Sequence, residues 1–188
     1  MTKVLVVEHQ GDAGIGHIGA RLRELGIELV EVGPDTGASV PESLDGFDGL
    51  IVLGGSMGPT DDREAPWLPP TRALLAEGVE RGVPTLGICL GAQLLTTALD
   101  GHVRTMPEGP EIGLLGVRFA PEAQGDALFG GLGGTEVPAV QWHYLEMDVL
   151  PEGAELDFEG HARAGGVAGA FVSAEGAPLS LDAPPVPR

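Results

Sequence analysis

The sequence predicts an α/β protein built on an open, mostly parallel, doubly wound sheet with antiparallel additions. Three observations predict it. The runs at 3–7, 50–53 and 85–88 are short and almost wholly apolar, the composition of strands buried on both faces. They alternate with segments of helical periodicity, long enough to serve as crossovers between parallel strands. Two of them run into glycines, at Gly54-Gly55 and in Gly87-Ile88-Cys89-Leu90-Gly91, at the carboxyl ends where such sheets place their ligands.

Taken in order, residues 3–7 form the first strand, and 18–25 a helix with Ile18, Leu22 and Leu25 on one face. Residues 28–32 and 50–53 supply the second and third strands. Residues 68–81 form a helix, with Pro69 and Pro70 in its first turn, Leu74, Leu75 and Val79 on its apolar face, and Gly82 as its stop. Residues 85–88 give a strand and 90–99 the helix that follows. Beyond Gly101 come shorter extended pieces, 114–119 and 137–142, separated by the turn at 130–134 and expected as antiparallel additions to the main sheet.

With 188 residues, 43% of them apolar, the chain suits one domain with a substantial core. Its formal net charge of -18 describes a solvated acidic surface and argues against nucleic acid and anionic membranes as partners. A single cysteine makes no internal disulfide. The first apolar run is closed by Glu8 and His9, too short for a signal-peptide core, and no apolar stretch approaches the ~20 residues of a membrane span. The expected location is cytoplasmic.

The chemistry centres on Cys89. A reactive side chain between glycines at a strand-to-helix turn has the form of a nucleophile elbow: small neighbours permit the sharp turn, and the helix N-terminus directs N–H groups at the thiolate. The alternative is a small buried hydrophobe, the usual fate of a free cysteine. An oxyanion hole needs two donors, and the backbone amides of Gly55 and Leu90 supply them. The loop Gly11-Asp12-Ala13-Gly14-Ile15-Gly16 lacks the glycine order and the lysine of a phosphate loop and reads as a flexible segment at the site rim. No zinc or calcium spacing occurs, so no metal is expected. Asp61, Asp62 and Glu64 read as a solvated run ahead of the helix at 68–81.

Gly54-Gly55-Ser56-Met57, Glu64-Ala65-Pro66-Trp67-Leu68, the run from Val83 through Cys89 to Leu95, Glu111-Ile112-Gly113 and Gln141-Trp142-His143 together resemble the class I glutamine amidotransferases, most closely the amidotransferase domain of GMP synthetase. The resemblance covers roughly residues 1–156 and implies a flavodoxin-like sheet. It also implies hydrolysis of the glutamine side-chain amide through a cysteine thioester, no cofactor, and release of ammonia to a separate synthase. By motif, Cys89 is the nucleophile, Gly55 and Leu90 the oxyanion donors, and Gln93 a contact to the substrate.

The family's late His-Pro-Glu-type segment, which supplies the triad histidine and glutamate, is missing. Residues 157–188 form instead an aberrant tail, half of it Gly, Ala and Pro. The bases left to consider are His143, which matches a family histidine outside the triad, and His161 in the tail. His9 ends the first strand and overlooks the site, His17 reads as a loop residue, and His102 as a partner for the negative end of the preceding helix. Two other readings stay open: a noncatalytic glutamine-binding or regulatory module, and another cysteine-elbow hydrolase such as a glutamyl hydrolase or peptidase.

Overall fold

Strand β1 (Lys3–Val7), helix α1 (Gly16–Glu24), β2 (Glu28–Val32), β3 (Gly49–Val52), α2 (Leu68–Arg81), β4 (Thr85–Gly87) and α3 (Leu90–Ala98) make up the first half of the chain. Then come β5 (His102–Thr105), β6 (Glu111–Phe119), β7 (Glu136–His143), β8 (Leu145–Val149) and the short strands β9 (Phe158–Glu159), β10 (Ala170–Val172) and β11 (Pro178–Leu179). The structure is a computed structural model that describes residues 1–125, 129–154 and the strand segments 158–159, 170–172 and 178–179.

The main sheet runs β2-β1-β3-β4-β10-β11. Its first four strands are parallel, and β10 joins β4 antiparallel. Alternation along the strands sorts the apolar side chains onto two faces. Leu5, Val7, Leu50 and Val52 pack with Leu74 and Leu75 of α2 and Leu90, Leu94 and Leu95 of α3. Val4, Val6 and Ile51 pack on the opposite face with Ile15 and, from α1, Leu22. Helices therefore cover both faces, as the apolar strands require.

Helix α2 has the bounds read from the sequence, with Pro at its first turn and Gly82 closing it at φ 64°. Helix α1 starts earlier than expected, because Gly16 turns the chain at φ 48° and brings His17 into the first turn of the helix rather than the loop. The acidic run ahead of α2 is engaged rather than merely solvated. Asp62 forms a two-pronged pair with Arg72 at 2.8 and 2.7 Å, and Asp61 accepts the Gly58 N–H.

Two features depart from the sequence reading. Strands β6 and β7 do not extend the main sheet but form a sheet of their own with β9, since the edge beside β4 is taken by β10. His102 does not serve the helix end. It lies in β5, which pairs with β8, and its Nδ1 is 2.5 Å from Asp148 Oδ1, while the Gly101 N–H closes α3 on the Thr96 carbonyl.

Helix α3 lies against the sheet with no side chain between them at Gly91. A Cβ there would stand 2.1 Å from the Val52 carbonyl oxygen and 3.2 Å from that of Leu53. Gly91→Ala is therefore expected to cost about 1–3 kcal/mol or more, read as a lowered urea midpoint, and to displace the elbow.

Candidate active site

Cys89 joins β4 to α3 in a conformation that few residues adopt, φ 53° and ψ -110°. Apart from Asp100 it is the sole non-glycine residue at positive φ among the described residues. Such backbone costs on the order of 1–3 kcal/mol and persists where its surroundings over-determine it. Here the surroundings are the two glycines of the motif. A Cβ on Gly87 would lie 2.7 Å from the Gly91 carbonyl oxygen, so the turn closes only with glycine at both positions. The half-buried Cys89 side chain thus stands at the carboxyl edge of the sheet, over the first turn of α3.

The Gly54-Gly55 loop lies directly against it. A Cβ on Gly54 would meet the Cys89 Cβ at 3.4 Å and its Sγ at 3.9 Å. One on Gly55 would meet Met57 Sδ at 2.7 Å, the His9 Cβ at 2.9 Å and Leu90 Cδ2 at 3.0 Å. Among the described residues the backbone N–H groups of Gly55 and Leu90 donate to no backbone acceptor, whereas their neighbours Leu53 and Gly91 are bonded, to Val7 and to Leu53 and Ile88 respectively. Two backbone donors outside the ladder therefore belong to the segments that adjoin Cys89.

From the other side comes β7, whose buried positions Ala139, Gln141 and His143 alternate with exposed Val140 and Trp142. His143 Nδ1 lies 3.9 Å from Cys89 Sγ, and its Nε2 lies 2.8 Å from Gln141 Oε1. An amide oxygen only accepts, so Nε2 is the donor in this pair, and in the neutral imidazole Nδ1 is then the acceptor that faces the sulfur. In that tautomer the imidazole is an acceptor for a thiol proton. Glu111 is the cross-strand partner of His143. Directly opposed residues of an antiparallel pair share a face, with Cβ atoms about 5 Å apart, so a carboxylate-bearing side chain neighbours the imidazole.

The remaining sequence candidates separate. Gln93, also buried, occupies the first turn of α3, and its backbone N–H donates to the Cys89 carbonyl. His9 is buried behind the Gly55 loop and its Nδ1 accepts the Trp67 indole N–H at 3.1 Å, which places its own proton on Nε2. His161 lies outside the described residues. Among the described residues no cluster of His, Cys, Asp and Glu could hold a metal, and no helix is long and apolar enough to cross a membrane. The motif Gln141-Trp142-His143 assigns Gln141 no role by itself; the signal for one is its spacing of two from His143 in a strand, which puts both side chains on one face.

Residues 10–170 match the family model for glutamine amidotransferase class-I. The chain belongs to this family. Over 156 residues it is 33% identical to a glutamine-hydrolyzing GMP synthase subunit of Natronomonas pharaonis, covering 82% of this chain and 73% of that one. Over 89 residues it is 39% identical to the imidazole glycerol phosphate synthase subunit HisH of Moorella thermoacetica, covering 39% and 41%. A crystal structure of a glutamine amidotransferase from Thermotoga maritima superposes with a TM-score of 0.80 at 25% identity, covering 95% of this chain and 74% of that one. The resemblance read from the motifs and the flavodoxin-like parallel sheet both hold.

Burial pushes the pKa of His9 in the folded chain down from 6.5 to about 4. The unfolded chain then binds the proton more readily. The stability gained by keeping His9 neutral is complete above pH 6.5 and is lost as the pH falls toward 4, by on the order of 3 kcal/mol. Urea titrations at pH 7 and pH 4.5 should show a steeper loss for the native chain than for His9→Gln.

Proposed function

We propose that this chain hydrolyses the side-chain amide of glutamine, with Cys89 as nucleophile and His143 as its base, and that it passes the ammonia to a separate synthase. Residues 1–156 are the catalytic unit in this reading. The observation that carries it is the Cys89 Sγ to His143 Nδ1 approach of 3.9 Å, with the imidazole tautomer set by Gln141. His143 Nδ1 takes the thiol proton as Sγ attacks the amide carbon, and the N–H groups of Gly55 and Leu90 receive the oxyanion. The imidazolium then returns its proton to the departing nitrogen, releasing ammonia and leaving a γ-glutamyl thioester. Water, deprotonated by the same nitrogen, cleaves the thioester to glutamate and restores the thiol. Gln93 in the first turn of α3 contacts the substrate.

The arrangement stands in for the pair that the family carries in its late His-Pro-Glu-type segment. His143 supplies the base, Gln141 fixes its tautomer, and Glu111 opposite it offsets the imidazolium charge. That two relatives are named as subunits of synthases supports a synthase as the ammonia acceptor. One observation favours a second reading, glutamine binding without turnover: the group bonded to His143 Nε2 is a neutral amide, which stabilises an imidazolium less than a carboxylate does.

Ammonia and glutamate release from glutamine decides between the two. The native chain should release both, Cys89→Ala neither, and His143→Ala should lose on the order of 10²–10⁴ in kcat. Glutamine binding by calorimetry with no release would select the second reading, and turnover of γ-glutamyl peptides in place of glutamine would indicate a different hydrolase. Glu111→Gln is expected to lower kcat about tenfold, roughly the effect of one lost charge interaction near the imidazolium, with glutamine affinity little changed.

A further inference from the structure

Among the described residues the peptide that carries the Gly55 N–H is held by hydrogen bonds at its flanks. Upstream, Leu53 is bonded on both sides: its N–H donates to the Val7 carbonyl at 3.0 Å and its carbonyl accepts the Gly91 N–H at 3.1 Å. Downstream, the Ser56 N–H donates to Gln10 Oε1 at 2.8 Å. Between these anchors stand two glycines, whose backbone turns with little steric resistance. The Gln10 carboxamide is oriented in turn, because its Nε2 donates to Asp12 Oδ1 at 2.7 Å and so leaves Oε1 for Ser56.

We propose that Gln10 is a positioning residue which, through Ser56, holds the Gly54–Gly55 peptide with its N–H toward Cys89. This rests on the reading of Gly55 as an oxyanion donor. A peptide unit is planar, so fixing the Ser56 N–H fixes the plane of the Gly55–Ser56 peptide and limits rotation of the one before it. Gln10 does not touch the substrate in this scheme. It acts on the transition state alone, since the donor it orients matters most when charge develops on the carbonyl oxygen. The loop 11–16, which the sequence suggested as a rim segment without chemistry, thereby gains a role through Asp12.

The test compares the native chain with Gln10→Ala, Gln10→Glu and the double variant Gln10→Glu with Asp12→Asn. Three readouts are used: glutaminase kinetics, backbone amide exchange at Ser56, and the melting temperature as a check on folding. Gln10→Ala should lower kcat about tenfold or more, within the range set by loss of an oxyanion donor, leave KM within about twofold, and speed exchange at Ser56. Gln10→Glu alone sets two carboxylates together and should be similarly impaired. The double variant restores an acceptor for Ser56, held by an amide donor at position 12, and should recover both kcat and protection. Unchanged kcat in Gln10→Ala, a rise in KM alone, or protection recovered without kcat would each overturn the positioning role while leaving the glutaminase reading intact. Absence of Cys89-dependent ammonia release in the native chain would overturn both.

Discussion

The contact between the first turn of α3 and the end of β3 is made backbone to backbone, and the site depends on it. Because Gly91 has no side chain, its N–H reaches the Leu53 carbonyl at 3.1 Å. Because Gly87 has none, β4 can turn into the helix beneath that contact. Cys89, caught between them, is driven to positive φ and projects from the sheet edge. The strain is local and modest, and it is offset by a helix whose buried residues Leu90, Leu94 and Leu95 belong to the main core. Any loosening of that packing would release the turn, so the geometry of the edge and stability in the core are coupled through a few atoms.

The other half of the site comes from a different sheet. Strand β7 presents Gln141 and His143 on one face by simple alternation, and its exposed face carries Val140 and Trp142. The hairpin packs through Val117, Phe119 and Ala139, with Leu86 of β4 against that cluster. This apolar contact sets how far the imidazole stands from the thiol. An acceptor-only amide oxygen behind the ring then selects, for the neutral imidazole, the tautomer whose bare nitrogen faces the sulfur. Packing determines the distance and hydrogen bonding determines the proton, two separate requirements that a thiol–imidazole pair must meet together.

A third layer of support lies at the amino-terminal strand. His9 and Gln10 lie just beyond β1, after Glu8, and both bear on the Gly55 loop, the first by packing against it and the second by a hydrogen bond to Ser56. His9 is in turn fixed by the indole of Trp67, just ahead of α2. The glycine pair has little conformational preference of its own, so its orientation comes from these neighbours.

Much of this was legible in the sequence. The alternation of apolar strands with periodic helices determined the doubly wound sheet, and glycines around Cys89 determined the elbow, because backbone that only glycine tolerates leaves a signature at fixed spacing. Helix α2 was equally plain from its prolines and Gly82. The pairings of distant segments were not: β10 beside β4, β5 with β8, His102 with Asp148, Gln10 with Ser56 46 residues away, and His143 with Cys89 54 residues away. Sequence periodicity reports which face of an element is buried. Which groups meet across the gap between elements is decided by how two sheets pack, and only the tertiary structure decides that.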